Sequence, residues 1–299
     1  PTGVLTQDAE IEARRPPCQA RLRVLAYNEH MQVSRERAKE GASMGELTYH
    51  KSVLRALRQL CVEVVAAGSV DEFTPHARAL AADPASFDVI LTDEYSLKSI
   101  MSNTPFDVIK CKLRLMDVWG TPPNQNWHNL HTKQFLVPFP MAPDGSEPWN
   151  AVTGYVLEPE SLEPGTKKNQ GYVWGKEQRY FKNHRELLRR IAEQVPLVVA
   201  ARPEATSVLP PGVTNLGIVS FQERQRLLRE SKFMLGLGDP VLGVSPFEAM
   251  AAGCAYLDPQ FRPPRKLDQN SRYVLSSQHP YASRVSPPHS FGVALDDHE

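Results

Sequence analysis

A chain of 299 residues can bury one large core or two ordinary ones, and with 41% hydrophobic and 23% charged residues it reads as globular. Lysine plus arginine and aspartate plus glutamate both number 34, so no basic excess points to nucleic acid as a partner. No run of 18 apolar residues and no signal-peptide pattern occur, so a soluble chain without its own membrane anchor is expected.

In chain order, the first ~20 residues are polar and proline-containing and read as a leader or linker. Residues 21–160 then read as one α/β domain. Arg21 to Tyr27 alternates like a strand, and Glu46 to Leu60 places Leu47, Val53, Leu54, Leu57 and Leu60 at helical spacing. Val62 to Ala66 and Phe87 to Thr92 read as further strands with a helical segment between them, which predicts a parallel sheet with crossover helices. Gly120 to Glu158, rich in Pro, Asn, His and Trp, reads as long loops, and Glu158 to Gly165 as a linker.

The pattern restarts in residues 166–299. Strands are expected at Gly171 to Gly175, Pro196 to Ala201, Asn215 to Val219 and Phe233 to Leu237, and helices at Asn183 to Gln194 and Gln222 to Glu230. Gly236-Leu-Gly-Asp-Pro-Val-Leu-Gly-Val-Ser-Pro-Phe-Glu-Ala-Met-Ala-Ala-Gly253 follows: a strand ending in glycines, a loop, and a short helix opened by Ser245-Pro246. A further apolar strand, Cys254 to Pro259, comes next, and Phe291 to Leu295 is strand-like. A glycine-rich strand end meeting a helix N-terminus favours an anion such as a phosphate, so a nucleotide-type ligand is the first expectation. Two α/β domains around such a site describe a cleft enzyme of the GT-B kind, with donor at Gly236 to Glu248 beyond the strand ends and acceptor on the N-terminal side.

Three side chains could carry chemistry. Glu248, three residues after Ser245, fits a capping box with proline at the first helical position, or a carboxylate accepting hydrogen bonds from a ribose diol. Glu46 fits a capping box with Ser43, or a general base that removes the proton of an attacking hydroxyl. Lys176, just after a strand, is a solvated surface charge or a cation for a leaving diphosphate. Trp119, Trp127 and Trp149 are packing residues or platforms for sugar faces. The four cysteines make no CxxC pair, and Cys61, Cys111 and Cys254 lie among apolar residues, where small buried side chains are expected. No histidine pair suits a zinc helix and no Asp-x-Asp occurs, so neither a metal nor another cofactor is expected.

The ordered landmarks Gly236-Leu-Gly238, Pro246-Phe-Glu-Ala249, Ala252-Gly-Cys-Ala-Tyr-Leu-Asp-Pro259, Phe261-Arg-Pro-Pro264 and Ser277-Gln-His-Pro-Tyr-Ala282 resemble the donor-site region of glycosyltransferase family 18, the N-acetylglucosaminyltransferase V family. Upstream, Gly45-Glu-Leu47, Cys111 to Thr121, Gln134-Phe135, Phe139-Pro140, Pro143-Asp144 and Val173-Trp-Gly-Lys176 look like landmarks of that family in the same order. The resemblance implies a GT-B fold, UDP-N-acetylglucosamine as donor, a mannose 6-hydroxyl of an N-glycan or glycoprotein as acceptor, inversion, no metal, and a Golgi setting. It implies Glu46 as acceptor-activating base, with Gly236, Gly238, Ser245, Pro246, Glu248 and Lys176 on the donor side. Where the family's loop carries a glutamate this chain has Leu242, so the donor contacts of that loop are not carried over, and the C-terminal domain reads as truncated. A sugar-nucleotide epimerase or hydrolase on the same scaffold, and a non-catalytic glycan or nucleotide binder, are the alternatives.

Overall fold

The computed structural model describes residues 22–28, 45–118, 120–122, 128–140, 149–155, 157, 166–266 and 274–295. Two sheets divide the chain. The first contains β1 (Arg23–Tyr27), β2 (Glu63–Ala67), β3 (Val89–Asp93), β4 (Leu113–Met116), β5 (Phe135–Val137) and β6 (Ala151–Val152), in the order β2-β1-β3-β4-β5-β6. All its pairings are parallel.

Helices cover both faces, as a parallel sheet requires, and the strands are accordingly apolar on both sides. On one face Leu25 and Tyr27 pack with Phe73, Ala77 and Leu80 of α2 (Val70–Ala82) and Leu97 and Ile100 of α3 (Glu94–Asn103). On the other, Val24 and Ala26 pack with Tyr49 and Leu54 of α1 (Gly45–Gln59). The expected helix over Glu46 to Leu60 is thus α1, except that Leu60 lies beyond its end and is 67% exposed. α2 and α3 are capped as their sequences allow: the Ser69 hydroxyl accepts from the Glu72 N–H and the Asp93 carboxylate from the Ser96 N–H. α4 (Phe106–Ile109) completes the layer.

Reading Gly120 to Glu158 as loops alone is corrected, because β5 and β6 lie within it. These two short strands stand among the Pro, Asn, His and Trp residues that mark the stretch as loop, with no longer apolar run around them. The proposed linker, Glu158 to Gly165, lies outside the described residues.

The second sheet holds β7 (Gly171–Val173), β8 (Leu197–Val199), β9 (Val213–Asn215), β10 (Phe233–Leu235), β11 (Ala255–Lys266), β12 (Val274–Ser277) and β13 (Ser290–Val293). Its order is β12-β11-β10-β7-β8-β9 with β13 on β11, and only the β11–β12 pairing is antiparallel. Its helices are α5 (Gln178–Lys182), α6 (Arg185–Ala192), α7 (Phe221–Glu230), α8 (Ser245–Ala251) and α9 (Pro280–Ser283). The helix expected over Asn183 to Gln194 is α6, α5 is an additional short helix before it, and the strand expected at Asn215 to Val219 is corrected to Val213–Asn215. At Gly217 the chain turns with φ +74°, and Leu216 and Ile218 are exposed.

The two halves touch directly. Phe139 stacks on Phe247 and Tyr281, with ring centroids 5.3 Å and 5.7 Å apart, and meets His279 edge-on at 5.0 Å. The Tyr281 hydroxyl donates to the Pro140 carbonyl at 2.6 Å. Lys51 of α1 lies over the Phe221 ring of α7, 5.4 Å from its centroid.

Burial of two neutral histidines makes the fold acid-sensitive. His279 is 0% exposed, and burial lowers its pKa to about 3; His50 is 3% exposed, and burial lowers its pKa to about 4. The native state therefore binds fewer protons than the unfolded chain, whose histidines titrate near ~6.5. Stability is full above that pH and falls as pH drops toward the folded values, by up to ~1.4 kcal/mol per pH unit for each histidine. Urea midpoints measured from pH 7 to pH 4 should show this slope, and it should be shallower in His50→Phe. An unchanged slope in that variant would remove His50 from the explanation.

Cys61 is disulfide-bonded, which corrects its reading as a small packing side chain; an exposed Cys111 departs from the same expectation, and buried Cys254 agrees with it. No helix among the described residues is long and apolar enough to cross a membrane.

Candidate active site in the cleft between the sheets

In the second sheet the chain leaves β7 toward β8 and β9, then returns to β10 on the other side of β7, so the strand order reverses between β7 and β10. Ligands of open α/β sheets bind beyond the carboxyl ends of strands at such a reversal. Beyond β7 lie Trp174, Gly175 and Lys176; beyond β10 lie Gly236 to Glu248. The first sheet reverses between β1 and β3, and α1, which carries Glu46, starts on the cleft side.

A cavity of about 390 Å³ occupies this place. Glu46 and Val118 line it from the first half, and Tyr172, Trp174, Lys176, Arg202, Arg224, Ser245 and Glu248 from the second. Glu46 and Lys176, 130 positions apart in sequence, thus share one space, and the Glu46 charge reaches the Lys176 ammonium. Lys176 keeps exposed surface toward the cleft but is surrounded by protein atoms. Burial lowers its pKa, the Arg224 charge lowers it further, and Glu46 and Glu248 partly restore it. Solvent reaching its exposed face moderates this shift.

Glu248 does not cap α8. The residue before the helix is Val244, no side chain caps its first turn, and the Ser245 capping-box reading is corrected. Instead Glu248 Oε2 pairs with Arg224 Nη1 at 2.7 Å, the two side chains being 3% and 7% exposed, and Glu248 Oε1 accepts from the Thr48 hydroxyl at 3.1 Å. A carboxylate offers about four lone-pair directions, so these two bonds leave acceptor capacity on both oxygens. Burial opposes the charge of Arg224, yet the Glu248 carboxylate and then the Tyr172 phenol outweigh it and leave the Arg224 pKa raised. Tyr155 lies beside Thr48 and Glu248; burial first and the Glu248 charge second raise its pKa. The partner proposed to cap α1, Ser43, lies outside the described residues.

Gly236, Gly238 and Pro246 do not line the cavity. The two glycines shape the loop behind it. The Gly238 N–H donates to Gln278 Oε1 at 2.9 Å, and Gln278 Nε2 donates to the Pro240 carbonyl at 2.8 Å. A Cβ at Gly236 would overlap that Gln278 oxygen and lie 2.7 Å from Pro259 Cδ. Gly236→Ala is therefore expected to cost ~1–3 kcal/mol in urea unfolding and to loosen the loop that carries Ser245. A variant as stable as the parent would contradict the close approach.

Leu242, at φ +54°, is buried with Leu275 and turned away from the cavity, so the departure at this position leaves the cavity wall intact. Trp149 is half-buried and does not line the cavity either, and Trp119 and Trp127 lie outside the described residues. Sequence reasoning missed Tyr172, Arg202, Arg224 and Thr48. Arg224 stands in Glu223-Arg-Gln-Arg226, a run that looks like a solvated helix face, and nothing in it marks the one arginine that turns inward. Among the described residues no cluster of three or more His, Cys, Asp or Glu could hold a metal ion.

A family model described as Glycosyltransferase family 18 matches residues 21–299, which include the whole cleft. The chain belongs to glycosyltransferase family 18. It is similar to Homo sapiens alpha-1,6-mannosylglycoprotein 6-beta-N-acetylglucosaminyltransferase A, 33% identical over 221 residues, covering 64% of this chain and 29% of that protein. The Homo sapiens B protein of the same name is 28% identical over 307 residues, covering 88% of this chain and 38% of that protein. The chain thus spans about a third of the length of the curated relatives it matches. Among solved structures it is similar to AviGT4, a glycosyltransferase involved in avilamycin A biosynthesis, with a TM-score of 0.48, 17% identity, and coverage of 79% of this chain and 78% of that one. Two parallel-sheet α/β halves facing a cleft are the GT-B arrangement expected from the sequence of this family 18 chain.

Proposed function

We propose that the cleft transfers N-acetylglucosamine from UDP-N-acetylglucosamine to a hydroxyl of an N-glycan, the 6-hydroxyl of a mannose. The names of the family 18 relatives support N-acetylglucosamine as the transferred group and a mannosyl glycoprotein as the acceptor, and UDP as the carrier is part of the proposal. The observation that carries the reading is the placing of one carboxylate, Glu46, across a single cavity from Lys176, Arg202 and Arg224. Glu46 takes the proton of the acceptor hydroxyl as its oxygen forms the bond to the anomeric carbon. The bond from that carbon to the diphosphate oxygen breaks on the opposite face, and UDP departs with the electron pair, so the configuration inverts. Lys176, Arg202 and the backbone at Ser245 face the departing diphosphate and supply countercharge from the protein's own groups, so the reaction proceeds without a metal. The Glu248 carboxylate accepts hydrogen bonds from the donor ribose with its remaining lone pairs.

The setting follows from the same reading. The relatives are named for action on mannosyl glycoproteins, and the Cys61 disulfide suits an oxidising lumen, so the chain works in the Golgi lumen. Incubation with UDP-N-acetylglucosamine and a branched mannose acceptor in the presence of EDTA, followed by NMR of the product, tests the proposal. A new β-linked residue on a mannose 6-position is expected. Donor hydrolysis or epimerisation without transfer, an α-linked product, or UDP binding with no turnover would each overturn it.

A further inference from the structure

The Glu248 carboxylate is shared between the two halves of the protein. Arg224 of α7 holds Oε2 at 2.7 Å, and Thr48 of α1, on the far side of the cleft, donates to Oε1 at 3.1 Å. The contact lies where α1 begins. A Cβ at Gly45 would be 2.9 Å from Val244 Cγ2, so the first turn of α1 packs directly on the residue that precedes α8. Thr48 follows Glu46 by two residues, which is about 200° around an α-helix and about 3 Å along it. Tyr49 and Leu54 seat α1 on its sheet, and the Thr48 hydrogen bond with the Gly45 contact ties its first turn, which carries Glu46, to the donor half.

We propose that Arg224, Glu248 and Thr48 form a positioning relay that holds Glu46 in line with the donor side of the cleft. The inference rests on the transfer reading above and adds residues that act through Glu46. Its basis is the carboxylate bridge, which spans the domain boundary at the root of the general-base helix. Arg224, buried against Tyr172, anchors the bridge to the floor of the donor half, and Tyr155 packs beside it from the first half. Alignment of the reacting atoms depends on shifts of an ångström or less, so a loose first turn costs turnover while donor binding stays intact.

Thr48→Val keeps the shape of the side chain and removes the hydroxyl. It is expected to lower kcat by about 10- to 100-fold, with donor KM and calorimetric UDP affinity within about twofold of the parent, and Thr48→Ser is expected to recover most of the loss. In a Glu46→Gln background the same substitution should change kcat by less than about twofold, because residues that act as one unit are not additive. Parent-like turnover in Thr48→Val, equal losses in the Val and Ser variants, or a full additional loss in the Glu46→Gln background would overturn the relay. A parent protein that makes no β-linked product would overturn the transfer reading instead, so the two failures are distinguishable.

Discussion

Glu46→Gln is expected to lower kcat by about a hundred- to ten-thousand-fold while UDP binds as tightly as in the parent. Glutamine keeps the size of the side chain and one hydrogen-bond acceptor but cannot take the acceptor's proton. The donor surfaces of the cavity, Lys176, Arg202, Ser245 and Glu248, belong to the other half of the protein and are untouched by the change. Calorimetry with UDP and single-turnover kinetics with a mannose acceptor separate the two quantities. Full activity in Glu46→Gln would leave Glu46 as a helix-start residue that happens to face the cleft.

The largest stability effect is expected at Arg224. Removing one partner of a buried ion pair leaves the other charge without compensation, and Arg224→Met is expected to cost ~3–5 kcal/mol in urea unfolding. Both members are nearly inaccessible, and Tyr172 and Thr48 are linked to the same pair. Combining Arg224→Met with Glu248→Leu should recover part of that loss, since the stranded carboxylate is gone and apolar groups fill similar space. A single variant within ~1 kcal/mol of the parent would show that Glu248 finds water in the cleft, and the pair would then count for little.

Much of this was legible in the amino-acid sequence, for identifiable reasons. Arg21 to Tyr27, Phe87 to Thr92 and Phe233 to Leu237 carry apolar runs, and each contains all or most of a parallel strand near the middle of its sheet, β1, β3 and β10. The glycine-rich loop after β10 and the proline at the start of α8 are local signals, and both stand where the sequence places them. β4, β5 and β6 were not legible: Arg114 interrupts the apolar run of β4, and β5 and β6 stand in a stretch whose Pro, Asn, His and Trp read as loop. Glu248 shows the limit of local rules most clearly. Ser245-Pro-Phe-Glu248 satisfies the capping-box spacing, yet the carboxylate turns to an arginine 24 positions upstream and a threonine 200 positions away. Long-range pairing of buried charge outweighed a cap worth ~1 kcal/mol. The same holds for Glu46 and Lys176, whose meeting depends on how two sheets face each other.

A crystal structure of the protein soaked with UDP tests the assignment of the cleft most directly. The expected result is a diphosphate lying between Lys176 and the first turn of α8, the ribose within hydrogen-bond distance of Glu248, and the Glu46 carboxylate facing the open side of the terminal phosphate, where the sugar would stand. UDP bound elsewhere, or Glu46 turned away from the nucleotide, would contradict it.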